Sequence, residues 1–92
     1  MLTSDKKLRD CKDVRKLPLV EIAWYDSAVG GGWNTLSHYR NKKNVPQMKS
    51  VGWLTKNTKT EVQVVQSIAE DGEVADSITI PKVCVVRTRR LR

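Results

Sequence analysis

Ninety-two residues, with seventeen Lys and Arg against ten Asp and Glu, give a small chain of formal net charge +7. A chain this short buries only about 60–65% of the surface its unfolded form exposes, so a single core serves every element, which excludes a two-domain cofactor enzyme. The apolar share of 39% and mean hydropathy of −0.48 fit a folded domain rather than a disordered one, and no apolar run reaches the length of a membrane span.

Residues 1–16, MLTSDKKLRDCKDVRK, hold six basic and three acidic groups. Leu8, Cys11 and Val14 recur every three residues. This stretch is therefore either a short helix capped by Ser4, with Asp5 in its first turn, or a charged N-terminal arm. Residues 17–92 are expected to form the folded domain.

PLVEIAWYD predicts a first strand, with Pro18 at its start and Val20, Ile22 and Trp24 on the core face. The glycine run Gly30 to Gly32 follows, expected to let the chain leave this strand sharply and to lay Trp33 over one end of the sheet. NTLSHYRNKK predicts one or two helical turns capped by Asn34 or Thr35 and stopped before Pro46. QMKSVGWLTK predicts a second strand with bulky apolar groups on both faces. Met48, Ser50, Gly52 and Leu54 share one side, and Lys49, Val51, Trp53 and Thr55 the other. That pattern fits a strongly bent strand with Gly52 at the bend.

Residues 57–59 make a short hairpin connection into TEVQVVQSIA, where Val62 and Val64 share a face. EDG, at 70–72, is the clearest turn signal. Ile78 and Ile80 mark a short strand ended by Pro81, and residues 83–91 a last strand that turns basic. About five strands joined mostly by short turns predict a mainly β fold: a small antiparallel SH3-like (Sm-like) barrel with one or two short helices, whose closure would remove exposed edges.

No motif for chemistry is complete. The glycine run lacks the lysine of a phosphate-binding loop, because Gly32 is followed by Trp33 and Asn34. It also lacks dinucleotide spacing, since Thr35 stands where the third glycine belongs. His38 is the only histidine, and Cys11 and Cys84 share no metal-ligand spacing. No catalytic residue, cofactor or metal is therefore expected. The two cysteines, read with no secretory signal in view, point to reduced thiols and a cytoplasmic protein.

The basic residues are the better lead. Lys82, Arg87, Arg89, Arg90 and Arg92 close the chain with no acidic residue among them, and Arg40, Lys42, Lys43 and Lys49 form a second cluster. Glu70, Asp71, Glu73 and Asp76 make an acidic tip. Arg40, Lys42, Lys43, Lys49, Arg87, Arg89 and Arg90 are the candidate contacts to nucleic acid or a protein partner, since forked guanidinium donors suit phosphate. The bland alternative is a solubilising surface. The acidic tip and the basic last strand also suit each other between copies, giving a homo-oligomer.

VEIAWYDS, the glycine–tryptophan loop, SVGWLTKNTKTEVQVVQS and ADSITIPKVCVVRTRRL together resemble a group of small phage or prophage proteins associated with Sm-like or SH3-like barrels. The resemblance spans about residues 19–91. Its anchors are Trp24, Asp26, Ser27, Trp33, Ser50, Gly52, Leu54, Ile80 and Pro81. It implies a barrel and brings no catalytic residues. Sm-like proteins in general bind RNA as rings, and their uridine-pocket signature is not evident in this chain. The expectation is a small non-enzymatic binding protein that contacts itself, a host protein or nucleic acid, and no membrane.

Overall fold

The computed structural model describes residues 3–27, 32–41 and 45–92. In chain order these form helix α1 (Asp5–Asp10), a 3-10 turn (Val14–Lys16), strand β1 (Leu19–Tyr25), helix α2 (Leu36–Arg40), and strands β2 (Gln47–Asn57), β3 (Glu61–Ile68) and β4 (Val74–Pro81). A second 3-10 turn (Lys82–Cys84) leads into strand β5 (Val85–Arg90). The strands make one antiparallel sheet in the order β4-β3-β2-β1-β5.

The mainly β class, the five antiparallel strands and the two short helices agree with the residue pattern. The sheet, however, is not closed. Its edges are β4 and β5, and no ladder joins them. Pro81 ends β4, and the Lys82–Cys84 turn delays β5 to Val85 rather than Val83. Part of the cover over the inner face comes from the N-terminal segment. Leu8 of α1 and Leu17 join Val20, Ile22, Leu54, Val62, Val64 and Ile80 in the core. Cys11, Val14, Trp24, Trp53, Ile78, Cys84 and Val85 pack around them, half-buried, and both cysteines are free thiols. Each fully buried aliphatic side chain here contributes about 1.5–3 kcal/mol.

Of the two readings of residues 1–16, the structure has the helix. Ser4 accepts from the Lys7 N–H, and Asp5 stands in the first turn. Asp5 Oδ1 also accepts from the Asn57 backbone N–H at 2.9 Å, and Asn57 Nδ2 donates to the Thr3 carbonyl at 3.1 Å. These bonds tie α1 to the end of β2. Beside them Lys56 donates to Glu61 across the β2–β3 turn, and that carboxylate raises the lysine pKa above its ordinary value.

Gly52 of β2 is buried and lies close to β3: a Cβ there would meet the Val65 carbonyl oxygen and the Val64 side chain. The first half of β2 pairs with β1, from Tyr25↔Gln47 to Leu19↔Trp53, and the second half with β3. The register on the β3 side shifts between Leu54 and Lys56, leaving Thr55 unpaired in the ladder. Thr55 Oγ1 instead bonds Gln63, through both its carbonyl and its side chain.

The β3–β4 turn closes at the predicted EDG, with Gly72 at φ +94° and its N–H bonded to the Ala69 carbonyl. β4 starts earlier than Ile78 and includes Asp76 at φ +61°. A left-handed conformation at a residue with a Cβ costs roughly 1 kcal/mol. Asp76→Gly is therefore expected to raise stability by up to about 1 kcal/mol in urea unfolding. A clear loss would instead show that the carboxylate makes a stabilising contact.

One expectation is overturned. Trp33 does not lie over an end of the sheet but is fully exposed. Helix α2 buries none of its residues, and its cap is Thr35, which accepts from the His38 N–H. Tyr39 Oη donates to the Gly32 carbonyl at 2.7 Å, so the segment is held by its own polar bonds with the indole outside. Gly30 and Gly31 lie outside the described residues, and Gly32 adopts φ +85°.

Candidate functional site

The outer face of β5, β1 and β2 gathers the charge. Alternation along β1 turns Val20 and Ile22 inward and Glu21, Ala23 and Tyr25 outward. The registers then place Lys49 of β2 and Arg87 of β5 on either side of Ala23, and Val51 and Arg89 on either side of Glu21. Glu21 takes an ion pair from Arg89 at 3.5 Å. Lys49 and Arg87 are exposed and have no acidic partner among the described residues. Tyr25, opposite Gln47 and 45% exposed, stands at one end of this face, and Trp53, opposite Leu19, at the other.

The candidate residues thus divide. Lys49, Arg87 and Arg89 come together, although 38 positions separate the first two in sequence. Arg90 pairs with Val20 and points to the core side of the sheet, where its Nη1 lies 3.5 Å from Thr3 Oγ1 and its Nε donates to the Arg92 carbonyl. Arg40 sits exposed in the last turn of α2, and Lys42 and Lys43 lie outside the described residues.

Sequence reasoning missed Arg15. Its Nη2 donates to the Glu70 carbonyl at 2.8 Å, which bridges the N-terminal turn to the tip after β3. Arg15, Trp53, Ile68, Ala69, Glu70 and Arg92 line an open groove of about 440 Å³. Nothing local in the sequence marks this meeting, because the bond spans 55 positions. The Trp53 indole N–H is buried there without a hydrogen-bond partner, an exception to the usual satisfaction of buried donors.

The two sheet edges form a second feature. Along β4, the turn that follows it and β5, the chain exposes Val74, Val83, Val86 and Leu91. Glu70, Asp71, Glu73 and Asp76 are exposed at the start of β4, whereas Arg87, Arg89, Arg90 and Arg92 are exposed at the end of β5. Each edge also presents one side of backbone N–H and C=O groups unpaired by the sheet.

His38 is exposed on α2, with its ring edge-on to Tyr39 at 5.5 Å. Among the described residues no group of three or more His, Cys, Asp or Glu side chains is placed to hold a metal ion, and no helix is long and apolar enough to cross a membrane. Comparison with protein-family models, curated proteins and solved structures gives no match for this chain.

Proposed function

We propose that this chain is a non-enzymatic interaction protein that assembles with copies of itself, β4 of one copy pairing with β5 of the next. The observation that carries this reading is the pair of open edges with opposite charge and exposed valines. Charged side chains on an edge normally block strand addition. Here they block it selectively. Pairing β5 with β5 sets arginine against arginine, and pairing β4 with β4 sets acid against acid. Only β4 against β5 brings opposite charges together.

Direction follows from the same charges. The acids cluster at the start of β4 and the arginines at the end of β5, so antiparallel addition juxtaposes them and parallel addition does not. Such a contact is heterologous, and it closes into a ring or runs on as a filament. The fold that accompanies this reading is a small SH3-like or Sm-like barrel opened at the seam between β4 and β5, as the resemblance to small phage proteins implies.

Complementary charge reversal tests the assembly. One variant carries Glu70→Arg and Glu73→Arg with Asp76→Asn, which makes the acidic edge net basic and keeps at 76 a residue tolerant of the left-handed conformation. The other carries Arg90→Glu with Arg92→Glu. In light scattering across a concentration series, the wild type is expected above monomer mass and each variant alone at monomer mass. Their equimolar mixture is expected to regain the larger mass, because the two reversed edges then meet each other with opposite signs, and so do the two unreversed ones. A wild type that stays monomeric at high concentration sinks the reading, as does a mixture that stays monomeric.

A further inference from the structure

We propose that the outer face of β5, β1 and β2 binds single-stranded nucleic acid, with the backbone running along the strand direction. This surface adjoins the edge contact above, since β5 belongs to both, but the two are tested on different residues. It uses Lys49, Arg87 and Arg89, whereas the basic edge residues tested for assembly, Arg90 and Arg92, are different side chains.

Successive outward residues on a strand are about 6.7 Å apart, twice the rise per residue. The register sets Lys49 and Arg87 on one cross-strand row and Arg89 on the next. This repeat is comparable to the spacing of phosphates along an extended strand. Lys49 and Arg87 have no acidic partner among the described residues, so their charge is available, and only Glu21 opposes them on this face, already paired with Arg89. Beyond the second row lies Trp53, at the mouth of the groove that Arg15 and Arg92 also line. Of these, Arg15 is already bonded to Asp13 and to the Glu70 carbonyl, so the track ends at the sheet.

A ring marks one end of the track: Tyr25 is 45% exposed beside the first row. Aromatic faces in line with a cationic track suit bases that are free to stack. A duplex hides its base faces and so makes no use of the exposed Tyr25 ring. An anionic lipid surface answers the charge but makes no use of the ring.

Fluorescence anisotropy on the full chain tests this, with labelled oligothymidylate and oligouridylate as probes, a duplex of matching length, and phosphatidylserine vesicles as the lipid arm. The wild type is expected to bind the single strands most tightly and to weaken linearly in log affinity as log salt rises. Lys49→Gln with Arg87→Gln is expected to lower affinity by about tenfold or more at low salt and the salt slope by about 1.4, since each lost phosphate contact removes about 0.7. Lys6→Gln with Lys7→Gln removes the same charge from the exposed side of α1 and is expected to change affinity by no more than about twofold.

Tyr25→Ala is expected to lose about fivefold or more and Tyr25→Phe to keep its affinity, a difference that follows stacking and not charge. The tyrosine pair also decides the matter if the charge variant does not fold. The proposal is overturned if the single strands do not bind, if duplex or vesicles bind more tightly than single strands, if the α1 variant loses as much as the sheet-face variant, or if Tyr25→Ala binds like wild type.

Discussion

Gly52→Ala is expected to destabilise the fold by about 2–3 kcal/mol, near the upper end of what overpacking a core costs. A Cβ built on Gly52 would stand 2.6 Å from the Val65 carbonyl oxygen and 3.0 Å from Val64 Cβ. The first of these is backbone in the neighbouring strand, so no side-chain rotation relieves it. Either β2 or β3 must move away, and both disturb the row in which Leu54 faces Val64. In a domain of this size the change corresponds to a melting temperature lower by roughly 10–20 °C.

Gly72→Ala supplies the comparison. Gly72 sits at φ +94° with open space where its Cβ would go, so it loses only the backbone preference, about 1 kcal/mol. Thermal and urea unfolding of the two variants separate steric clash from strain. A Gly52→Ala protein within about 0.5 kcal/mol of wild type would show that the two strands do not approach this closely.

The close approach at Gly52 is legible in the sequence, because a glycine within a strand of bulky residues marks a place where a neighbour comes near. The same holds for the inward set Val20, Ile22 and Trp24, for the Ser4 and Thr35 caps, and for the EDG turn. In each case the cause lies within a few residues of the effect. The features that the sequence hides depend on partners far along the chain. Whether the sheet closes depends on how β4 and β5 are placed after Pro81 and the Lys82–Cys84 turn, and no single residue declares it. The docking of α1 rests on Asp5 meeting Asn57, 52 positions away.

The candidate site shows the same division. Charge along the chain groups Arg87, Arg89 and Arg90 as one run. Only the period of two along β5 splits them, sending Arg87 and Arg89 outward and Arg90 inward. Lys49 joins the outward pair through β1, which lies between β2 and β5. Trp33 misleads because a tryptophan in a small apolar core is a sound expectation, yet α2 is held by its own local bonds and leaves the ring in solvent.

Leu54→Ala is expected to cost about 3–5 kcal/mol, the largest effect of any single side-chain truncation in this chain. Leu54 is fully buried on the central strand β2, facing Val64, and its N–H donates to the Pro18 carbonyl at 2.8 Å. It stands where the half of β2 paired with β1 gives way to the half paired with β3. Its core neighbours come from both sides, Val20 and Ile22 of β1 and Val62 and Val64 of β3, with Leu8 of α1 in the same cluster. The cavity left by truncation is walled by strands that cannot collapse inward without breaking ladder bonds, so the cavity term adds to the lost transfer energy. Against a total stability of about 5–14 kcal/mol for a chain of this length, such a loss removes between about a fifth and the whole of it. Leu91→Ala is the control, since Leu91 is 44% exposed next to the open β5 edge, and a change within about 1 kcal/mol is expected there. Equal losses at the two positions would mean that the hydrophobic core is not centred on β2. A large loss at Leu54 beside a small one at Leu91 would show that the β5 edge can change without unfolding the domain, which the charge-reversal experiments at Arg90 and Arg92 require.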